Sequence, residues 1–240
     1  MIFTEAYTTN MKEKVVLNWS SGKDAALAFY YLQQSDSFCV SGLLTSISEK
    51  YKRVSMHGVS ERILERQARH IGIPLKKIYL PEEADMVTYN KIMSEAVNDI
   101  KQKGITSMAF GDIFLEDLRK YREDQLAAAG MKALFPLWKK STADLVREIE
   151  DSGIKAMIVC VDEAALGKEF LGKYVGRSLL QSLPETVDPC GENGEFHTLV
   201  IDAPYFNSPL SLAKGAIVYK TYNLNEQSRK GFYFLDLKED

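Results

Sequence analysis

Ser20-Ser21-Gly22-Lys23-Asp24 groups two hydroxyls, a glycine, a cation and a carboxylate in one short stretch. Those are the parts of a phosphate cradle. Where a helix begins, its first N–H groups have no partner inside the helix, and its dipole favours an anion. Gly22 lets a phosphate approach the backbone, Lys23 adds a point charge, and Asp24 offers the hard oxygen ligands that Mg²⁺ takes, directly or through water. The stretch is not a Walker A loop, because Leu17 stands where the first glycine belongs and Asp24 where Ser or Thr is needed. Taken alone it reads equally as a serine cap and a glycine turn.

Four further groups carry chemistry. Gly111-Asp112 ends an apolar run, and Asp112 suits either a nucleotide or Mg²⁺ contact or the capping of the next helix. Glu192 and Glu195 flank a glycine turn, with Asn193 between them and His197 beyond. One carboxylate there can act as a general acid or base, and the alternative is a solvated hairpin. His57, in Ser55-Met56-His57-Gly58, is a loop candidate for a nucleotide contact. Arg119 and Arg122 share a helix face, where solvated surface charge is the simpler reading.

The elements that must position these groups alternate. Apolar runs at Val15–Trp19, Phe38–Thr45, Leu75–Leu80, Ser107–Phe110, Lys132–Phe135 and Ile154–Val161 read as strands, separated by segments of helical period. Continuous rather than alternating apolar runs imply strands buried on both faces of a parallel sheet. The crevice of such a sheet lies at the carboxyl ends of its strands, where Ser20–Asp24 and Asp112 fall. Residues 12–162 form this expected unit. Residues 163–240, with β-rich runs after the glycine turn, form a smaller α+β unit that covers the crevice.

The chain has 240 residues and a formal net charge of −3, with no basic stripe, which disfavours nucleic acid as a partner. Three separated cysteines, Cys39, Cys160 and Cys190, exclude a four-cysteine zinc site and fit a reducing, cytoplasmic location. No apolar run reaches the length of a membrane span.

The loop resembles the PP-loop of ATP pyrophosphatases, whose pattern is SGGxDS. With Phe110-Gly111-Asp112-Ile113, Phe135-Pro136-Leu137-Trp138 and Gly191-Glu192-Asn193-Gly194-Glu195-Phe196-His197-Thr198, the chain resembles the diphthine–ammonia ligase family over about residues 13–203. The ENGEFHT form resembles a bacterial branch of it. The resemblance implies a Rossmann-like, adenine nucleotide alpha hydrolase-like fold. It also implies an AMP-forming ligase that adenylates a carboxylate with ATP and Mg²⁺ and then joins ammonia to it. On that reading Lys23, Asp24, Glu192 and Glu195 are catalytic. Ser20, Ser21, Gly22, Lys23, Asp24, His57, Gly111 and Asp112 hold the nucleotide, with Asp24 and Asp112 on the metal. Glu192, Asn193, Glu195 and His197 hold the substrate. The partners are ATP, ammonia and an unidentified carboxylate, and a second copy of the chain is left open. Two departures stand out: Ser21 replaces a glycine and Ala25 a serine. Transfer of sulfur to tRNA and non-catalytic nucleotide binding remain as alternatives.

Overall fold

The computed structural model describes residues 12–54, 58–82, 84–225 and 228–239. The first sheet contains β1 (Glu13–Asn18), β2 (Phe38–Ser48), β3 (Arg53–Val54), β4 (Leu75–Leu80), β5 (Ser107–Ala109) and β6 (Lys132–Leu134). β2, β1, β5 and β6 lie side by side in parallel, β4 joins β2 in parallel, and only β3 runs antiparallel. From β1 the chain goes to one side for β2 and later returns to the other side for β5. The carboxyl ends of β1 and β5 therefore bound the switch-point crevice of an open parallel sheet.

Helices cover both faces, as the apolar runs require. Val15 and Leu17 point into one core with α1 (Lys23–Gln34), α2 (Glu61–Ile71) and α5 (Thr142–Asp151). Val16 points the other way, into a second core with α3 (Met86–Gln102) and α4 (Glu116–Ala128). Local signals set the helix ends. Ser60 Oγ accepts from Ile63 N, Asp85 Oδ1 accepts from Thr88 N, and Ser141 Oγ accepts from Asp144 N. Gly72 closes α2 in the left-handed conformation at φ 76°.

The second sheet corrects one expectation. β7 (Lys155–Asp162) is not a sixth parallel strand. It pairs antiparallel with β8 (Phe196–Asp202) and β10 (Ser228–Glu239), and β9 (Leu212–Asn225) completes the order β8-β7-β10-β9. The misreading has a physical cause. From Ala156 to Asp162 β7 is buried at every residue, so its pattern matches that of a central parallel strand. β7 thus shares its sheet with strands that lie beyond residue 162. Met157, Val159, Val161, Phe196, Leu199 and Val200 extend the core of α1 and α2, which seats this sheet over the amino end of α1. A 3-10 turn (Lys168–Phe170) and α6 (Arg177–Ser182) link β7 to the glycine turn. Among the described residues no helix is long and apolar enough to cross a membrane.

Candidate functional site

The loop after β1 is held by buried hydrogen bonds that few local signals announce. Trp19 Nε1 donates to Gln67 Oε1 at 3.0 Å, and Gln67 Nε2 donates to the carbonyls of Ser21 (3.1 Å) and Val200 (2.7 Å). Val200 N also donates to the Ser21 carbonyl, at 3.0 Å. Ser21 is thereby clamped at φ 73°, a left-handed conformation that costs a side-chain-bearing residue roughly 1–2 kcal/mol. This is the position where the PP-loop pattern has glycine. The Ser21 hydroxyl is buried and has no hydrogen-bond partner among the described residues.

α1 then starts at Lys23 from Gly22, and no side chain of its own caps it. A cap arrives from the other sheet: Lys23 N donates to Thr198 Oγ1 at 3.0 Å. The N–H groups of Asp24 and Ala25 have no acceptor inside the helix. Gly111 presses against this turn, and a Cβ there would lie 2.8 Å from the carbonyl carbon of Asp24 and 2.9 Å from Ala25 N. The glycine is therefore required for β5 to bring Asp112 beside the helix end.

Charges are compensated in pairs here. Lys23 Nζ donates to Asp24 Oδ2 at 2.8 Å and lies 5.4 Å from the centre of the Phe196 ring. Burial pulls the Lys23 ammonium towards neutrality, but Asp24, Cys190 and Glu192 outweigh it and hold its pKa above the ordinary value. Asp112 Oδ2 faces Arg122 Nε at 2.9 Å, off the geometry of a good hydrogen bond, and the guanidinium lies 4.3 Å from the Phe110 ring centre. The solvated-surface reading of Arg122 therefore does not hold. Arg119 does pair along its own helix, with Glu123, and also stacks over Trp138 at 4.5 Å. Burial raises the Asp112 pKa; Arg122 opposes this, and Asp24 adds to it.

Glu192 joins the same group. Its Oε1 accepts from Ile113 N at 3.0 Å. Burial first, and then the Asp24 charge, push its pKa up to about 7. The charge of Asp24 thus adds to burial in raising the pKa of both Asp112 and Glu192, and Asp112 adds to that of Glu192. Among the described residues no group of three or more His, Cys, Asp and Glu side chains already converges on a metal position.

Glu195 and Asn193 go elsewhere. Glu195 accepts from Asp188 N, Asn193 N and Asn193 Nδ2 at 3.0–3.1 Å, all within its own turn. Asp188 Oδ1 accepts from Cys190 N and Glu192 N, and its Oδ2 accepts from Thr142 Oγ1. His197 alternates with Phe196 and Thr198 along β8, so it occupies the strand face opposite the two residues that contact Lys23. His57 lies outside the described residues. Cys190 is buried, its Sγ 3.4 Å from the Thr142 carbonyl, and desolvation raises its pKa far above the thiol range. Cys160 is buried too, its pKa pushed up to about 12 by desolvation first. Neither thiol has the character of a reactive nucleophile.

Residues outside the expected set complete the site. Thr198 stood at the end of the ENGEFHT motif, so its signal was present. Gln67 is a polar residue on the buried face of an amphipathic helix, which is the only trace it leaves in sequence.

Comparison with known proteins agrees with this geometry. Residues 12–133, just over half of the chain, match the diphthamide synthase N-terminal domain, and residues 141–232 match the diphthamide synthase C-terminal domain. The human diphthine–ammonia ligase is 28% identical over 166 residues, covering 65% of this chain and 60% of that protein. The rat protein of the same name is 30% identical over 156 residues, 62% of this chain and 57% of its own. The Saccharomyces cerevisiae protein of that name is 25% identical over 224 residues, 78% of this chain but 32% of its own. The matched stretch spans about 60% of the length of the mammalian relatives. On the match to both of its domains, this chain belongs to the diphthamide synthase family.

Proposed function

We propose that this chain is an ATP-dependent, AMP-forming ligase that joins ammonia to a carboxylate. One observation carries the reading: Lys23 and the first turn of α1, whose Asp24 and Ala25 N–H groups have no acceptor inside the helix, meet Asp24, Asp112 and Glu192 at the switch point of a parallel sheet. Anionic phosphate suits the helix end and Lys23, and Mg²⁺ suits the carboxylates. The named activity of the relatives, diphthine–ammonia ligase, supplies ammonia and a carboxylate as the other reactants.

The residues divide the work as follows. Lys23 Nζ and the backbone N–H groups of Asp24 and Ala25 bind the triphosphate and stabilise the charge that gathers as pyrophosphate departs. Asp24 and Asp112 would hold Mg²⁺, which would spread phosphate charge when bound, and Arg122 keeps Asp112 turned to the crevice. Glu192, poised near neutrality, takes the proton that ammonia sheds as its nitrogen replaces AMP on the substrate carbonyl. Asn193 and Glu195 shape the turn that presents Glu192. The antiparallel sheet closes the crevice through Phe196 and Thr198. Both buried thiols argue against sulfur transfer.

Calorimetric titration with Mg²⁺-ATP, on the native chain and on a Lys23→Ala, Asp24→Ala double variant, tests the site. Binding by the native chain alone supports it, and no binding or equal binding by both overturns it. Incubation with ammonium and a panel of carboxylates tests the reaction. Its products are AMP and pyrophosphate, and release of ADP and phosphate would overturn the adenylation step.

A further inference from the structure

The last strand of the second sheet is built like an interface. β9 lies at the edge of the order β8-β7-β10-β9, and among the described residues no strand pairs with its outer side. Fourteen residues long, it exposes about 45 Å of unpaired backbone. Ile217, Val218, Tyr219 and Tyr222 on this strand are each 40–48% exposed, a concentration of apolar surface not found on any other described strand. Edge strands of isolated proteins are normally guarded by charge, proline or a covering segment. β9 has no proline, and its two lysines, though exposed, lean their ammonium groups towards neighbouring parts of the protein. Lys214 Nζ donates to the Gly172 carbonyl at 3.2 Å, and Lys220 Nζ lies 5.8 Å and 5.7 Å from the ring centres of Tyr51 and Phe234. Beside the strand is an apolar cleft of about 440 Å³ lined by Lys168, Glu169, Ile217, Tyr219 and Tyr233. It shares no residue with the nucleotide site.

We propose that β9 pairs antiparallel with β9 of a second copy of this chain, about a two-fold axis through Tyr219, and so joins the two four-stranded sheets into one. The sequence of the strand fits this partner. In that register Tyr219 faces its own symmetry mate, Ile217 faces Thr221, Val218 faces Lys220 and Ala216 faces Tyr222. No lysine faces a lysine, whereas a register centred on Ile217 would set Lys214 against Lys220. Ile217, Tyr219 and Thr221 share one face of the strand, the face of the cleft, so each copy's Tyr219 closes the cleft of the other. The interface is isologous and closed, and it leaves no β9 edge to propagate. Pairing engages roughly ten residues a side, fewer than the 20–30 of a standard interface, so the dimer forms in a concentration-dependent way.

Sedimentation velocity on the full chain over about 1–100 µM, a range that spans weak dimers, gives the test. The native chain shifts from monomer to dimer. Tyr219→Lys and Tyr219→Glu each place like charges on the axis and weaken self-association about tenfold or more. Tyr219 is half exposed, so both variants keep the native circular dichroism spectrum. Mixing the two restores a dimer, because lysine then faces glutamate. A native chain that stays monomeric throughout, variants that associate as the native chain does, or a mixture that stays monomeric would each overturn the proposal.

Discussion

The two segments that meet at the candidate site, the loop 20–24 and the turn 188–198, are built on opposite plans. In the turn, Asp188 and Glu195 receive hydrogen bonds on both of their carboxylate oxygens, from backbone and side-chain donors close at hand. Glu192 and Thr198 instead reach out of the turn, Glu192 to Ile113 N and Thr198 to Lys23 N. The loop holds itself by its carbonyl, gripped by Gln67 and Val200, and spends its Lys23 N–H on Thr198, while the Ser21 hydroxyl has no hydrogen-bond partner among the described residues. A saturated segment is a scaffold, and an unsaturated one is a receptor. Polar residues of one motif can therefore have unlike roles, and the count of unspent donors and acceptors tells them apart.

The sharpest way to break this comparison is to exchange the consequences. Loss of Lys23 and Asp24 together should cost ATP binding at least about 100-fold, since a charge-assisted contact and a metal ligand both go. Asn193→Ala should leave ATP affinity within about threefold, as read by the same titration. Comparable losses from both would erase the distinction between receptor and scaffold. Next in size is Glu195→Ala, which removes the buried carboxylate that accepts from Asp188 N, Asn193 N and Asn193 Nδ2. It should destabilise the fold by about 2 kcal/mol in urea unfolding. A neutral result would mean that the turn does not depend on that carboxylate.

Much of the receptor was legible in sequence, because it follows from local rules. Position after a strand and before a helix places Ser20–Asp24 at an anion site whatever the rest of the chain does. Gly111 and Asp112 are read by the same logic, as the glycine and carboxylate that end an apolar run. The scaffold was not legible in this way. Glu195 and Asn193 are polar and close to Glu192 in sequence, and only the three-dimensional turn shows that they hydrogen-bond each other. His197 lies on the strand face opposite Phe196 and Thr198 for a simpler reason, the period of two along a strand, which sends alternate residues to opposite faces. Arg122 differs from Arg119 only in what lies beneath it, Phe110 and Asp112 from a distant strand end. β7 shows the limit for the fold itself: a strand buried on both sides carries no mark of its partners' direction.

Glu192 sharpens the comparison through pH. Its pKa rises on folding from the ordinary 4.5 to about 7, so between those values the folded chain holds a proton that the unfolded chain releases. Stability therefore falls as pH rises through that window, by an amount on the order of 1–2 kcal/mol after allowance for partial exposure. Glu192→Gln should remove this fall, as urea midpoints at pH 5 and pH 7.5 would show. A fall of the same size in the variant would assign the proton to another group. If Mg²⁺-ATP binds beside Glu192, saturating nucleotide should also flatten the native profile.

The smallest effect tests the loop's own compromise. Ser21 sits at φ 73° with a buried, unpartnered hydroxyl, so the native fold bears both backbone strain and an unsatisfied polar atom. Ser21→Gly removes both, at the cost of a more flexible unfolded chain. The net expectation is a gain of about 0.5–1 kcal/mol in stability. A receptor built for phosphate would show a second change in the opposite sense, because the hydroxyl is a donor the ligand can use. Affinity for Mg²⁺-ATP should then fall about threefold to tenfold, the worth of one modest hydrogen bond. Higher stability with weaker binding means that the strain at Ser21 is retained for the ligand. Higher stability with unchanged binding would leave the hydroxyl without a role and return the serine to an accident of the loop.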